Sequence, residues 1–156
     1  MRKFSKIDDI QLELGQADIS SIRFSSKSRD EIPQLLGGMQ YIYCDDELRS
    51  EVAIILGEEL DFGDKDNGRP GMPLWQILVL GALRLQCNWD WDRVVYMANT
   101  NTQIRQMLGL GWMDNIEFHL QTVKDNVSLL TPRALERINT LVISKGHKLL
   151  KKKTRR

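Results

Sequence analysis

Residues 74–85, LWQILVLGALRL, are apolar on nearly every side of a helical wheel. A helix of that kind must be covered on most of its surface, so the rest of the chain has to wrap around it. A membrane cannot supply the cover. The run is interrupted by Gln76 and Arg84 and falls well short of the roughly 20 residues a bilayer span needs. The stretch therefore predicts the central helix of a globular α domain. The 156 residues suit one domain with enough material for a core, and 42% hydrophobic with 28% charged residues is ordinary for such a domain. The N-terminus, MRKFSKIDDIQLEL, has no apolar h-region and so no expected signal peptide. Cys44 and Cys87 fall inside predicted helices and read as small reduced hydrophobes, which fits the cytoplasm.

Around the central helix the apolar positions recur at helical spacing. Ile32, Leu35, Leu36, Met39, Ile42 and Tyr43 form one face, with Ser28 and Glu31 as a capping box and Pro33 in the first turn. A second helix starts near Asp45 or Asp46 and carries Leu48, Val52, Ile55 and Leu56. Residues 61–71, DFGDKDNGRPG, read as a loop. Beyond the central helix, residues 90–98 form a short helix with Trp91, Val94, Val95 and Ala98 inward. After Asn99 and Thr100 another carries Ile104, Met107 and Leu108 and stops at Gly109. Ile116, Leu120, Val123, Val127 and Leu130 give one more. Thr131 caps the last helix, with Pro132 at its first position. Before all of these, Ile10, Leu12, Leu14, Ile22 and Phe24 alternate weakly around Gly15 and Asp18, so residues 1–24 read as an arm or a short β-hairpin. The expectation is a mainly α fold, a compact bundle of about six or seven helices containing a helix-turn-helix-like pair. It divides into an arm at 1–24, a helical domain at 25–149 and a basic tail at 150–156.

The net charge of +1 conceals an asymmetry: residues 1–66 carry −7 and residues 67–156 carry +8. A basic half points toward a polyanion. Most of the excess lies in one run, Lys145, Lys148, Lys151, Lys152, Lys153, Arg155 and Arg156, which contains no acid, whereas residues 67–144 are close to neutral.

Catalytic constellations are missing. His119 and His147 are far apart, with no Cys or acid at ligand spacing, and there is no HExxH, paired CxxC or GxSxG. The acids Asp61, Asp64 and Asp66 fail the calcium-loop template, which from Asp64 would need Glu where Trp75 stands. No cofactor or metal is expected. Nucleic-acid contact fits better. The segment DWDRVVYMANTNTQIRQMLGL, residues 90–110, has helix-turn-helix scale. The early residues of its second helix, Asn101, Thr102, Gln103, Arg105 and Gln106, suit base edges, because Asn and Gln can bond adenine twice and Arg can bond guanine twice. The plainer alternative is the polar face of a surface helix. Lys and Arg in the basic run would neutralise phosphates without reading sequence. Trp89 and Trp91 flank Asp90 and point differently; core or interface is favoured for them over stacking on bases.

The strings SRDEIPQLLGGMQYIY, GRPGMPLWQILVLGALRL, ANTNTQIRQMLGL, LQTVKDNVSLLT and GHKLLKKK, in that order, resemble the N-terminal region of a bacterial insertion-sequence transposase. The likeness is to the grouping often labelled ISNCY, and more loosely to the InsH-type N-terminal domain, and spans about residues 25–153. It implies binding of terminal inverted repeats and help in assembling the transposase, carried onto this chain through the segments around Arg69, Arg105 and Lys124. It implies duplex DNA of transposon ends as partner, a homodimer or a contact with a catalytic domain as a further one, no membrane, and a cytoplasmic, nucleoid-associated location. Relatives continue into an RNase-H-like domain whose acidic DDE triad holds two divalent metals. No residue here matches that triad, so the expectation is a truncated, non-enzymatic chain. The alternatives are an interaction module, or a remnant without present function.

Overall fold

The structure, a computed structural model, describes Phe4 and residues 18–24, 30–60 and 71–154, with residues 147–154 described as helical backbone only. Among these residues there are seven α-helices and one 3-10 turn, and no strand. The helices are α1 Glu31–Cys44, α2 Asp46–Glu59, α3 Leu74–Gln86, α4 Trp91–Thr100, α5 Thr102–Met107, α6 Leu120–Val127 and α7 Pro132–Thr154. The fold is the mainly α bundle that the periodicity predicts.

As the sequence demands, α3 is the centre. Every residue from Leu74 to Leu83 is buried, with α1, α4 and α6 packed against it. Its one buried polar side chain is satisfied: Gln76 Nε2 donates to the Leu108 carbonyl at 3.0 Å, and Trp75 Nε1 donates to the Met107 carbonyl at 2.8 Å. Both acceptors lie at the C-terminal end of α5, where helix carbonyls have no partner within the helix. Six residues are too few for an independently stable helix, so α5 exists because α3 holds its end. The Schellman pair closes it: Gly109 sits at φ 82° while Leu110 N–H and Gly109 N–H return to the carbonyls of Arg105 and Gln106.

Caps account for most helix starts. Asp45 accepts from Leu48 N–H, Asp90 from Arg93 N–H, Asn101 from Ile104 N–H, and Thr131 Oγ1 from Ala134 N–H. At α1 the expectation is corrected. Asp30 is the N-cap, bonded to Ile32 N–H, so Glu31 is the first helical residue rather than the far member of a box. Pro33 still falls in the first turn, where its missing N–H is harmless. α3 has no side-chain cap; instead the Phe4 carbonyl accepts Trp75 N–H at 2.7 Å, and the Phe4 ring packs with Tyr43 and Trp75. Residues 19–21 form the 3-10 turn, whose carbonyls at Ile19 and Ile22 are held by Gln40 Nε2 from α1. The hairpin expected here is not formed by 18–24; its other half lies outside the described residues.

Two boundaries also move. Ile116 is 43% exposed and precedes α6, which starts at Leu120. The last helix runs out into the basic segment and reaches Thr154, so the division at 149–150 is not a helix boundary. From Pro132 to Lys145 this helix lies on α2 and its N-cap, through Arg137 to Glu58 and Glu59, Arg133 to Glu59, and Lys145 to Asp45 and Glu47.

Candidate nucleic-acid interface

The helix pair α4–α5 exists, but its turn is the single residue Asn101, which ends one helix and caps the other. That is tighter than the 3–4-residue turn of the usual DNA-binding pair. The polar side chains of α5 are mostly engaged inside the protein. Asn101 is the cap. Gln103 Nε2 donates to the Arg23 carbonyl at 3.2 Å, holding the 18–24 segment. Arg105 donates from Nη1 to the Ala98 carbonyl at 3.2 Å, and from Nη2 to those of Asp114 at 3.3 Å and Ile116 at 3.0 Å. Its guanidinium therefore stitches the end of α4 to the loop at 111–119. Gln106 is half-buried, and only Thr102 stands exposed. As folded, α5 offers few free groups for base edges.

On α6, Gln121, Thr122, Lys124 and Asp125 are exposed, with Gln121 Nε2 donating to Asp125 at 2.7 Å. This helix packs on α3 and α4, and Asn99 ties its approach by accepting from Phe118 N–H and donating to the Phe118 carbonyl. The backbone at Lys148, Lys151, Lys152 and Lys153 is α7. Arg69, Arg155 and Arg156 lie outside the described residues, as do Lys27, Arg29 and the acids Asp61, Asp64 and Asp66.

Electrostatics divide the cations in two. A groove of about 610 Å³ between α2 and α7 is lined by Arg133, Arg137, Glu136 and Ile55, but its guanidinium groups are already paired with Glu58 and Glu59. Lys145 is bound to Asp45 at 2.5 Å. That ammonium holds the Asp45 carboxyl below its usual range, helped by the Leu48 N–H, while Asp45 raises Lys145 in return. Arg84 and Arg93 differ. Arg84 lies 4.1 Å over the Trp91 ring, and Arg93 lies 5.9 Å from Trp89 and 5.7 Å from Tyr96. Among the described residues neither has a carboxylate or hydrogen-bond acceptor, and Arg84 Nε is buried without a partner. The periodicity of α4 gave no hint of these stacks. The signal in the sequence is the density of Trp, Tyr and Arg across 84–96.

A second exposed feature is apolar. Trp112 is 84% exposed, followed by Met113, Ile116 and Leu120, each close to half exposed. No group of three His, Cys, Asp or Glu among the described residues is placed to hold a metal ion, and no helix there is long and apolar enough to cross a membrane. Burial raises the thiols of Cys44 and Cys87, and both are free. Compared with known proteins, the chain matches no protein-family model, no curated protein and no solved structure.

Proposed function

We propose that this chain is a DNA-engaging domain of the kind found at the N-terminus of insertion-sequence transposases, holding transposon-end DNA chiefly through phosphates. One observation carries the reading. α7 is a single helix from Pro132 to Thr154, clamped to α2 and its N-cap by the ion pairs of Arg133, Arg137 and Lys145, so the bases at 148, 151, 152 and 153 follow along a held helix rather than a loose tail. At about 3.6 residues per turn, positions 148, 151 and 152 fall at i, i+3 and i+4 on one face of that helix, a cluster of lysines that suits phosphates and reads no sequence. Base reading fits α6 better than α5. Gln121, Thr122 and Lys124 are exposed there, while the side chain of Arg105 is engaged with three carbonyls. The role is positioning of DNA, not chemistry.

The test is fluorescence anisotropy on an inverted-repeat duplex across a salt series. Affinity should fall steeply with salt, and changing Lys151, Lys152 and Lys153 together to Ala should lower the salt slope by about one per lysine. A second reading, an interaction module, is favoured by the apolar run of Trp112, Met113, Ile116 and Leu120 and by the near-neutral charge of 67–144. No duplex binding at low salt, with a dimer by light scattering, would select it over the first.

A further inference from the structure

We infer that the corner between α3 and α4 is a second nucleic-acid contact, one that takes unpaired nucleotides rather than duplex. This rests on the DNA-engaging reading but concerns a surface away from α7. The corner is built by backbone geometry. α3 ends at Gln86 with Cys87 as its C-cap, Asn88 turns left-handed at φ 52°, and Trp89 N–H returns to the Arg84 carbonyl at 3.0 Å. That closure brings Trp89 next to the root of Arg84, and the Asp90 cap then starts α4 with Trp91 as its first residue. Two arginines and three aromatics, Arg84, Trp89, Trp91, Arg93 and Tyr96, thus share one turn and its two flanking helix ends.

Their arrangement differs from every other arginine contact described above. The guanidinium groups of Arg105, Arg133 and Arg137 end on oxygens of this protein, and that of Arg49, although 5.2 Å from the Tyr43 ring, also bonds the Tyr43 carbonyl and the Asp46 carboxylate. Those of Arg84 and Arg93 end on rings. Arg93 is exposed and its guanidinium touches rings rather than carboxylates, so its N–H donors stay available for a bidentate oxyanion such as a phosphate, whereas Nε of Arg84 is buried and leaves only the Nη groups for that role. Tyr96 is 58% exposed, which leaves ring surface on which a base can stack. A nucleotide carries both complementary parts, a π face and a phosphate, within one residue. Aromatics alternating with arginines are how proteins hold single strands without reading them. The same corner carries Asp90, occupied as a helix cap, and Asp92, exposed beside Arg93. These two acids leave the corner without net positive charge. A rigid duplex, bound mainly through its charge, gains little here, whereas stacking on an unpaired base is little affected by them.

The experiment measures anisotropy of a labelled oligothymidylate of about 16 nucleotides and, separately, of the inverted-repeat duplex, with the full chain and with Tyr96→Ala and Arg93→Ala. Both side chains are exposed, and circular dichroism melts check that each variant folds. Each variant should weaken single-strand binding by roughly 5- to 100-fold, the range expected for one stacked base, and duplex binding by no more than about twofold. Arg93→Lys should behave like Arg93→Ala, because a lysine keeps the charge but not the planar fork of donors. Single-strand binding unchanged in both variants, beside normal duplex binding, overturns the corner and leaves the α7 reading standing. Equal losses on both DNAs overturn it too, since that is what general charge loss produces. Displacement of the oligonucleotide by polyglutamate as effectively as by unlabelled DNA would make it a protein-facing anion site instead. Binding of neither DNA at low salt overturns both readings.

Discussion

Arg105→Ala separates a structural arginine from a DNA-reading one. In the folded chain this guanidinium reaches three carbonyls from residues 98, 114 and 116. A hydrogen bond from a charged donor contributes about 1.5–3 kcal/mol when well made. Here the donor distances of 3.0, 3.2 and 3.3 Å reach the long end of the usual range, and the residue is only partly buried, so water replaces part of each bond. The three together are then worth about 2–4 kcal/mol rather than their simple sum. For a domain of this size each kcal/mol moves Tm by about 2–4 °C, which gives a drop of roughly 4–16 °C. Arg105→Lys should recover less than half, because one ammonium cannot span three acceptors in two directions. Thermal melts read the loss. Amide exchange reads its location, with faster exchange at Asp114, whose N–H bonds the Gly111 carbonyl, and at Phe118. A variant that melts within about 1 kcal/mol of wild type, keeps these amides protected and loses only DNA affinity would refute the structural role and return Arg105 to base contact.

Further outcomes follow from the same contacts. At Gly81 a Cβ would lie 2.3 Å from Leu130 Cδ2, and at Gly38 nothing lies within 4 Å. Gly38→Ala should therefore stabilise by about 0.5–1 kcal/mol, whereas Gly81→Ala should destabilise on the order of 1 kcal/mol as overpacking outweighs helix propensity; urea unfolding measures both. Asn99→Ala removes the partner of both Phe118 backbone groups and should cost about 2 kcal/mol, read the same way. For the Lys145–Asp45 pair, the lowered Asp45 gives stability that is present above the pH where an unfolded aspartate ionises, about 4, and lost as pH falls through its lowered folded value. The raised Lys145 gives stability lost only as pH climbs through its raised value. The Tm difference between wild type and Lys145→Ala should thus stay flat across neutral pH and shrink in acid; a difference that grows in acid would contradict the pairing.

Helix content was legible because burial imposes its period on the chain. The all-round apolarity of 74–85 marked α3, and Asp90, Asp45 and Thr131 mark starts because caps act within three residues. The misreadings have two causes: contacts that lie outside the helical period, and a local cap that competes with the expected one. Ile116 keeps helical phase with Leu120, but the carbonyls of 114 and 116 are pulled to Arg105, and the helix waits until 120. Ser28 with Glu31 matches a capping box, yet Asp30 takes the Ile32 N–H.

The candidate site followed the same division. Sequence supplied the cations and aromatics but not their partners. Arg105, Gln103 and Asn101 have the chemistry of base readers, and the bundle engages all three internally. Arg84 and Arg93 stand in an ordinary amphipathic pattern, and the left-handed turn at Asn88 sets them against rings instead of carboxylates. By itself the sequence determined a helical domain wrapped on one apolar helix, with its basic charge gathered at one end, because periodicity and charge are properties of short stretches. Only tertiary structure decided which arginines are engaged and which remain available, because the carbonyl, carboxylate or ring that meets a guanidinium is brought to it by the fold.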